Sequence, residues 1–152
     1  MNHYRKSLLL VLTVVFVLTM MTFSAVGQDK WKIGIMTTTV TQNEEEYRAA
    51  QHVLAKYGPE HIIHMTFPDK FMDEQETSIA NLVSMASDPD LKGLVICQAV
   101  PGTAPGIDAV KELRDDLFIF IGQPQEDPPV ISARGDIVTV SYTHLRAHET
   151  VL

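Results

Sequence analysis

From Lys30 onward, short apolar runs alternate with longer stretches in which apolar residues recur every three or four positions. Lys32-Ile33-Gly34-Ile35-Met36-Thr37 is the first predicted strand. Tyr47, Ala50, Leu54 and Tyr57 then follow helical spacing until Gly58-Pro59 stops them. His61-Ile62-Ile63-His64-Met65-Thr66 is the second strand. Ile79, Leu82, Val83 and Ala86 mark a second helix that closes near Asp88-Pro89. Gly93-Leu94-Val95-Ile96-Cys97-Gln98 is continuously apolar up to Gln98, as a strand buried on both faces should be. Ile107, Val110 and Leu113 give a shorter third helix, and Leu117-Phe118-Ile119-Phe120-Ile121 a fourth strand. After Gly122 the chain is Pro-rich from Gln123 to Pro129, with a fifth strand expected near Asp136 to Val140. Strands alternating with helices imply right-handed crossovers and a doubly wound, three-layer α/β fold around a parallel sheet.

The two ends break this rhythm. Arg5 and Lys6 precede an apolar run of 14 residues, Leu8 to Met21, and Ala25 and Gly27 supply the small residues of a cleavage site before Gln28. Residues 1–27 therefore read as an export signal, which places the mature chain in the periplasm or outside the cell. A retained membrane anchor is the competing reading, but the run is short of the roughly 20 residues a span needs. At the other end, Ser141-Tyr142-Thr143-His144-Leu145-Arg146-Ala147-His148-Glu149-Thr150-Val151-Leu152 resembles a translated library-adapter sequence. That resemblance implies a non-native tail over 141–152 and a truncated lobe over 28–140. His144 and His148 have the i, i+4 spacing of a helical metal pair but lack a third ligand.

Composition narrows the function. The formal net charge is −7, and loss of Arg5 and Lys6 with the signal takes it to about −9. Nucleic acid and anionic membranes need basic surface, so neither is an expected partner. With one cysteine, Cys97, neither an internal disulfide nor a multi-cysteine metal site is available.

A parallel sheet of this kind binds ligands beyond the carboxyl ends of its strands. That selects four loops: Thr37 to Asn43, Phe67 to Asp73, Gln98 to Gly106, and Gln123 to Asp127. Trp31, ahead of the first strand, falls at the opposite edge. In the first loop Thr41 and Glu44 fit a capping box, and Glu44-Glu45-Glu46 load the first helical turn with negative charge. Asp73 and Glu76 repeat the pattern in the second loop. Acidic helix starts disfavour anionic ligands and favour neutral or cationic ones. Phe67 and Phe71 could stack on a ligand ring, or simply cover the end of the sheet. The third loop, Pro101-Gly102-Thr103-Ala104-Pro105-Gly106, offers close backbone approach and a helix start with no carboxylate of its own. Gln123, Gln125, Glu126 and Asp127 in the fourth suit hydroxyl or amine recognition.

Catalytic patterns are missing from the chain. It has no G-x-S-x-G elbow, no P-loop and no G-x-G-x-x-G after the first strand. The threonine-rich first loop loosely matches a flavodoxin phosphate loop, but Val40 stands where a glycine is needed. His61 and His64, three apart on a strand, point to opposite faces. Cys97 lies in the most apolar strand, where an inert thiol is expected. Neither an enzyme nor a cofactor is indicated.

Trp31-Lys32-Ile33-Gly34-Ile35-Met36-Thr37, Asn43-Glu44-Glu45-Glu46-Tyr47, Gly93 to Gly102 and Ile121 to Pro129 together resemble the first lobe of a type I periplasmic binding protein. In detail they are similar to an uncharacterised family of exported solute-binding-like proteins of anaerobic bacteria. The resemblance implies a two-lobed trap for a small neutral polar solute, a sugar or nucleoside, serving uptake through a transporter or sensing through a chemoreceptor. From loop position, Thr38, Thr39, Phe67, Gln98, Gly102, Gln123 and Gln125 are the expected ligand-binding residues. A single-lobe envelope sensor or interaction module, and a flavodoxin-like flavin protein, are the alternatives.

Overall fold

The structure, a computed structural model, describes residues 30–139; the expected signal segment and the tail at 141–152 lie outside them. Five strands form the sheet: β1 (Lys32–Thr37), β2 (Ile62–Thr66), β3 (Leu91–Ile96), β4 (Phe118–Ile121) and β5 (Ile137–Val138). All pair in parallel, in the order β2-β1-β3-β4-β5. Four helices connect them: α1 (Glu44–Tyr57), α2 (Gln75–Ala86), α3 (Thr103–Leu113) and α4 (Pro128–Ser132).

Handedness distributes the helices. The step from β1 to β2 runs one way across the sheet and the later steps run the other way, so right-handed crossovers put α1 on one face and α2, α3 and α4 on the opposite face. The core divides accordingly. Met36, Leu94, Ile96, Ile119 and Ile121 of the strands pack with Leu82, Met85, Ala104, Ile107, Val110 and Ile131 of α2, α3 and α4. On the other face a smaller cluster joins Ile35 and Ile62 to Ala50, with Val53, Leu54, Val95 and Cys97 against it.

Two helix starts differ from expectation. α1 is capped by Asn43, whose Oδ1 accepts the Glu46 amide at 3.2 Å while its Nδ2 donates to Glu46 Oε2 at 3.1 Å. Thr41 does not serve as the cap: the amides of Gln42 and Asn43 turn back onto the Thr39 carbonyl, and the helix starts two residues later. α2 begins at Gln75, behind a turn in which the amides of Asp73 and Glu74 donate to Lys70, so Asp73 is no cap either. The Pro-rich stretch leads into α4, a helix the sequence pattern did not mark, with Pro128 and Pro129 in the first turn where a missing N–H costs nothing.

Leu82 sits fully buried where α2 meets α3 and the sheet. Leu82→Ala should lower unfolding free energy by about 2–5 kcal/mol in a urea titration, whereas Met72→Ala, at a 63% exposed position, should change it by less than about 0.5 kcal/mol.

Candidate functional site

Strand order reverses between β1 and β3, and the loops beyond their carboxyl ends are fastened in two pairs. The first and second loops meet at Asp69. Its carboxylate accepts from the hydroxyls of Thr39 and, at 2.9 Å, Thr41, and its carbonyl accepts from Gln42 Nε2 at 2.7 Å. Those two hydroxyls hold the Asp69 carboxyl below its usual range. The third and fourth loops are joined along their backbones, with the Ala99 carbonyl accepting the amides of Gln125 (2.9 Å) and Glu126 (3.1 Å). Gln125 Nε2 donates to Gln98 Oε1 at 2.8 Å. The Glu126 carboxylate accepts the amides of Gly102 (2.9 Å) and Ala104 (2.8 Å).

Where the start of α1 faces the carboxyl ends of β3, β4 and β5 lies a cleft of about 390 Å³ lined by Asn43, Glu45, Glu46, Cys97, Phe120, Gly122, Gln123 and Thr139. Gly122 is required by close approach, since a Cβ there would overlap the Cys97 carbonyl oxygen. Glu46 is the half-buried charge of the cleft. Burial raises its pKa, opposed by hydrogen bonds from the Thr38 amide and the side chains of Gln98 and Cys97. The Cys97 thiol is pushed up to about 12, first by burial and then by Glu46. A larger groove of about 470 Å³ follows α1 past Val40, Tyr47, Arg48, Gln51, His52 and Ala55. It lies off the strand ends, so the switch-point cleft is the better candidate on chemical grounds. Among the described residues no group of three or more His, Cys, Asp or Glu could hold a metal ion, and no helix is long and apolar enough to cross a membrane.

The seven expected ligand residues separate in space. Gln123 lines the cleft. Gln98 and Gln125 form the amide pair joining the third and fourth loops. Thr39 is committed to Asp69. Thr38 is buried, and its hydroxyl finds no partner among the described residues. Phe67 is a correction: its ring is fully buried in the larger core, because the Phe67 amide continues the sheet by donating to Thr37 and draws the side chain inward. No face of it is open for stacking. Gly102 holds the left-handed conformation, φ +97°, at the start of α3. The free helix start expected there is corrected too, since Glu126 occupies it. Asn43 and Glu46 were missed as cleft residues, although their spacing of three is itself a capping pattern.

A profile of the family described as a protein of unknown function (DUF3798) matches residues 31–150. The chain belongs to the DUF3798 family. An uncharacterised protein of Treponema pallidum (strain Nichols) is 29% identical over 116 residues, covering 72% of this chain and 52% of its own length. Another from the same organism is 33% identical over 57 residues, 38% of this chain and 26% of its own. This chain thus spans about half the length of the first relative and a quarter of the second. A crystal structure from Clostridium difficile 630, provisionally described as a transcriptional regulator, superposes with a TM-score of 0.65 at 22% identity, over 72% of this chain and 33% of that one. That likeness shows the shared fold.

Between β1, β2 and α1, this DUF3798 chain carries a half-buried polar relay. The Thr37 hydroxyl donates to the Thr38 carbonyl at 2.8 Å, so its oxygen accepts from His64 Nε2 at 2.8 Å. His64 Nδ1 is then left to accept from Gln51 Nε2 at 2.7 Å. Burial lowers the His64 pKa from its ordinary 6.5, which favours the neutral ring with Nε2 donating to Thr37 and Nδ1 accepting from Gln51.

Two outcomes follow from these contacts. The unfolded chain takes up the His64 proton near pH 6.5 and the folded chain only below that value, so this stabilisation is full above about pH 6.5 and is lost as pH falls. Denaturation midpoints should therefore decline between about pH 7.5 and 5.5, less steeply in His64→Gln; equal slopes would refute the assignment. Glu126→Ala strips two amide contacts from the start of α3 and should cost about 1–2 kcal/mol by the same titration.

Proposed function

We propose that this chain is the N-terminal lobe of an exported solute-binding protein, similar to the type I periplasmic class, that holds a small neutral polar solute against a second lobe. The observation that carries the reading is the open cleft at the β1–β3 switch point. It brings the polar groups of Asn43, Glu46, Gln123 and Thr139 to one place, between loops that are already fastened.

The charge pattern supports a solute without phosphate or carboxylate. Glu44, Glu45 and Glu46 fill the first turn of α1, and the Glu126 carboxylate fills the start of α3. Both helix N-termini that would attract an anion are thereby neutralised. No Lys or Arg is among the described residues lining the cleft. The carboxylates of Glu45 and Glu46 and the amide and hydroxyl of Gln123 and Thr139 make up the polar lining, and these pair with the hydroxyls of a sugar or nucleoside. Phe120 adds an apolar patch to the wall. One lobe offers half of such a site, and a second lobe closing over it would bury the solute and exclude water. Span relative to the Treponema relative fits this arrangement, since about half of that protein has no counterpart here. Uptake through a transporter or signalling through a receptor would read out the closure. The reading is one of binding, not catalysis.

The test uses the longer protein with both lobes. Thermal-shift screening against sugars, nucleosides and amino acids should find a stabilising solute, and isothermal titration should give its affinity. Gln123→Ala should then weaken binding about 3- to 10-fold, the worth of one neutral hydrogen bond. A protein that binds none of the panel would count against solute binding, and unchanged affinity in Gln123→Ala would remove the cleft from the site.

A further inference from the structure

Three buried hydroxyls gather where the end of β1 meets the starts of α2 and α3. Thr38 is 2% exposed, and Ser78 and Thr103 are fully buried. Thr103 Oγ1 donates to the Val100 carbonyl at 2.6 Å, so its proton is spent within its own turn. Neither Thr38 Oγ1 nor Ser78 Oγ has a hydrogen-bond partner among the described residues. A helical serine can turn its hydroxyl onto the carbonyl four residues back, but the Glu74 carbonyl already accepts the amides of Thr77 and Ser78. A hydroxyl taken out of water carries a desolvation cost that only a hydrogen bond offsets.

Register brings the three together. Side chains alternate along β1, so Met36 packs beneath α2, Thr37 turns to His64 on the α1 face, and Thr38 returns to the α2 face. Two contacts fix the height of α2, which runs antiparallel to the strands. Met85 Sδ lies 3.3 Å from where a Cβ on Gly34 would stand. Asn81 Nδ2 donates at 3.0 Å to the carbonyl of Thr66, the partner of Thr37 in the sheet. At about 1.5 Å per helical residue and about 3.3 Å per strand residue, either contact sets Ser78 level with Thr38 to within about 3 Å. α3 lies alongside α2: a Cβ on Gly102 would meet Gln75, and one on Gly106 would meet Ile79 and Leu82. Thr103 therefore lies beside Ser78.

We propose that one water molecule, sealed between β1, α2 and α3, is bound by the hydroxyls of Thr38, Ser78 and Thr103. Three hydrogen bonds are typical of an internal water. The water donates one proton to Thr103 Oγ1, and its other proton and a lone pair serve Thr38 and Ser78. The site pins the loop after β1 to the starts of α2 and α3. Thr38 is also the residue whose amide donates to Glu46 at 3.3 Å, so the water steadies the cleft carboxylate from the far face of the sheet. The inference rests on the buried hydroxyls and holds whether or not the cleft binds a solute.

Two measurements on the full-length protein test it. A crystal structure at a resolution that shows ordered water should place a water oxygen about 2.5–3.0 Å from all three hydroxyl oxygens. Three hydroxyls with no water among them, or a Ser78 hydroxyl turned onto the Glu74 carbonyl, would overturn the proposal. In solution, Thr38→Val, Ser78→Ala and the double variant are compared by urea titration, each substitution being close in shape to the residue it replaces. Either one alone should lower the folding equilibrium constant about 3- to 30-fold. The double variant should fall short of the product of the two effects by about 3-fold or more, because both hydroxyls bind the same water. Effects that simply multiply, or a single substitution that leaves the constant unchanged, would rule out a shared water. The crystal result decides the matter even where a variant fails to fold.

Discussion

Every strand in this sheet is parallel, and each parallel step requires a crossover of fixed hand. That constraint orders the rest of the molecule. It sends α1 to one face and the other helices to the opposite face, and it separates the loops after β1 and β3 so that a cleft opens between them. It also leaves one face covered by a single helix. The cleft and this single-helix face are thus two results of the same reversal in strand order.

The site is built chiefly by loops that bind one another. Asp69 ties the first loop to the second, and Ala99, Gln98 and Glu126 tie the third to the fourth. Groups with obvious ligand chemistry are spent inside the protein, leaving a short wall on which Gln123 and Thr139 stand beside the carboxylates of Glu45 and Glu46. Fastened loops present those groups in one geometry and lower the ordering cost of binding. The carboxylate of Glu126 occupies the start of α3, so the amides of Gly102 and Ala104 are already bonded within the protein.

The architecture was legible because burial on both faces writes long apolar strands, and helical spacing marks the crossovers between them. β1 falls on the residues expected, and α1 stops at Gly58 as its sequence indicates. Short elements were less legible. β5 is two residues long, Ile137–Val138, and α4 hides in a Pro-rich stretch. Loop position led to Gln123, which lines the cleft, but it cannot say which polar side chains find protein partners. Thr39 and Glu126 look like ligand groups until Asp69 and the amides of α3 are placed beside them, and those pairings lie 30 and 22 to 24 residues apart. Phe67 was misassigned because the end of a strand and the start of a loop share one sequence signal. Whether its ring turns in or out depends on one further backbone hydrogen bond to Thr37.

The environment of Cys97 bears on the company this protein can keep. A lone thiol ordinarily invites mixed disulfides and covalent dimers wherever the surroundings are oxidising. Exchange proceeds through the thiolate, and with its pKa pushed up to about 12 by burial and by Glu46, Cys97 holds almost none of that form near neutral pH. Burial and the cleft's own carboxylate together therefore act as a chemical preservative, keeping the sulfur protonated and slow to exchange.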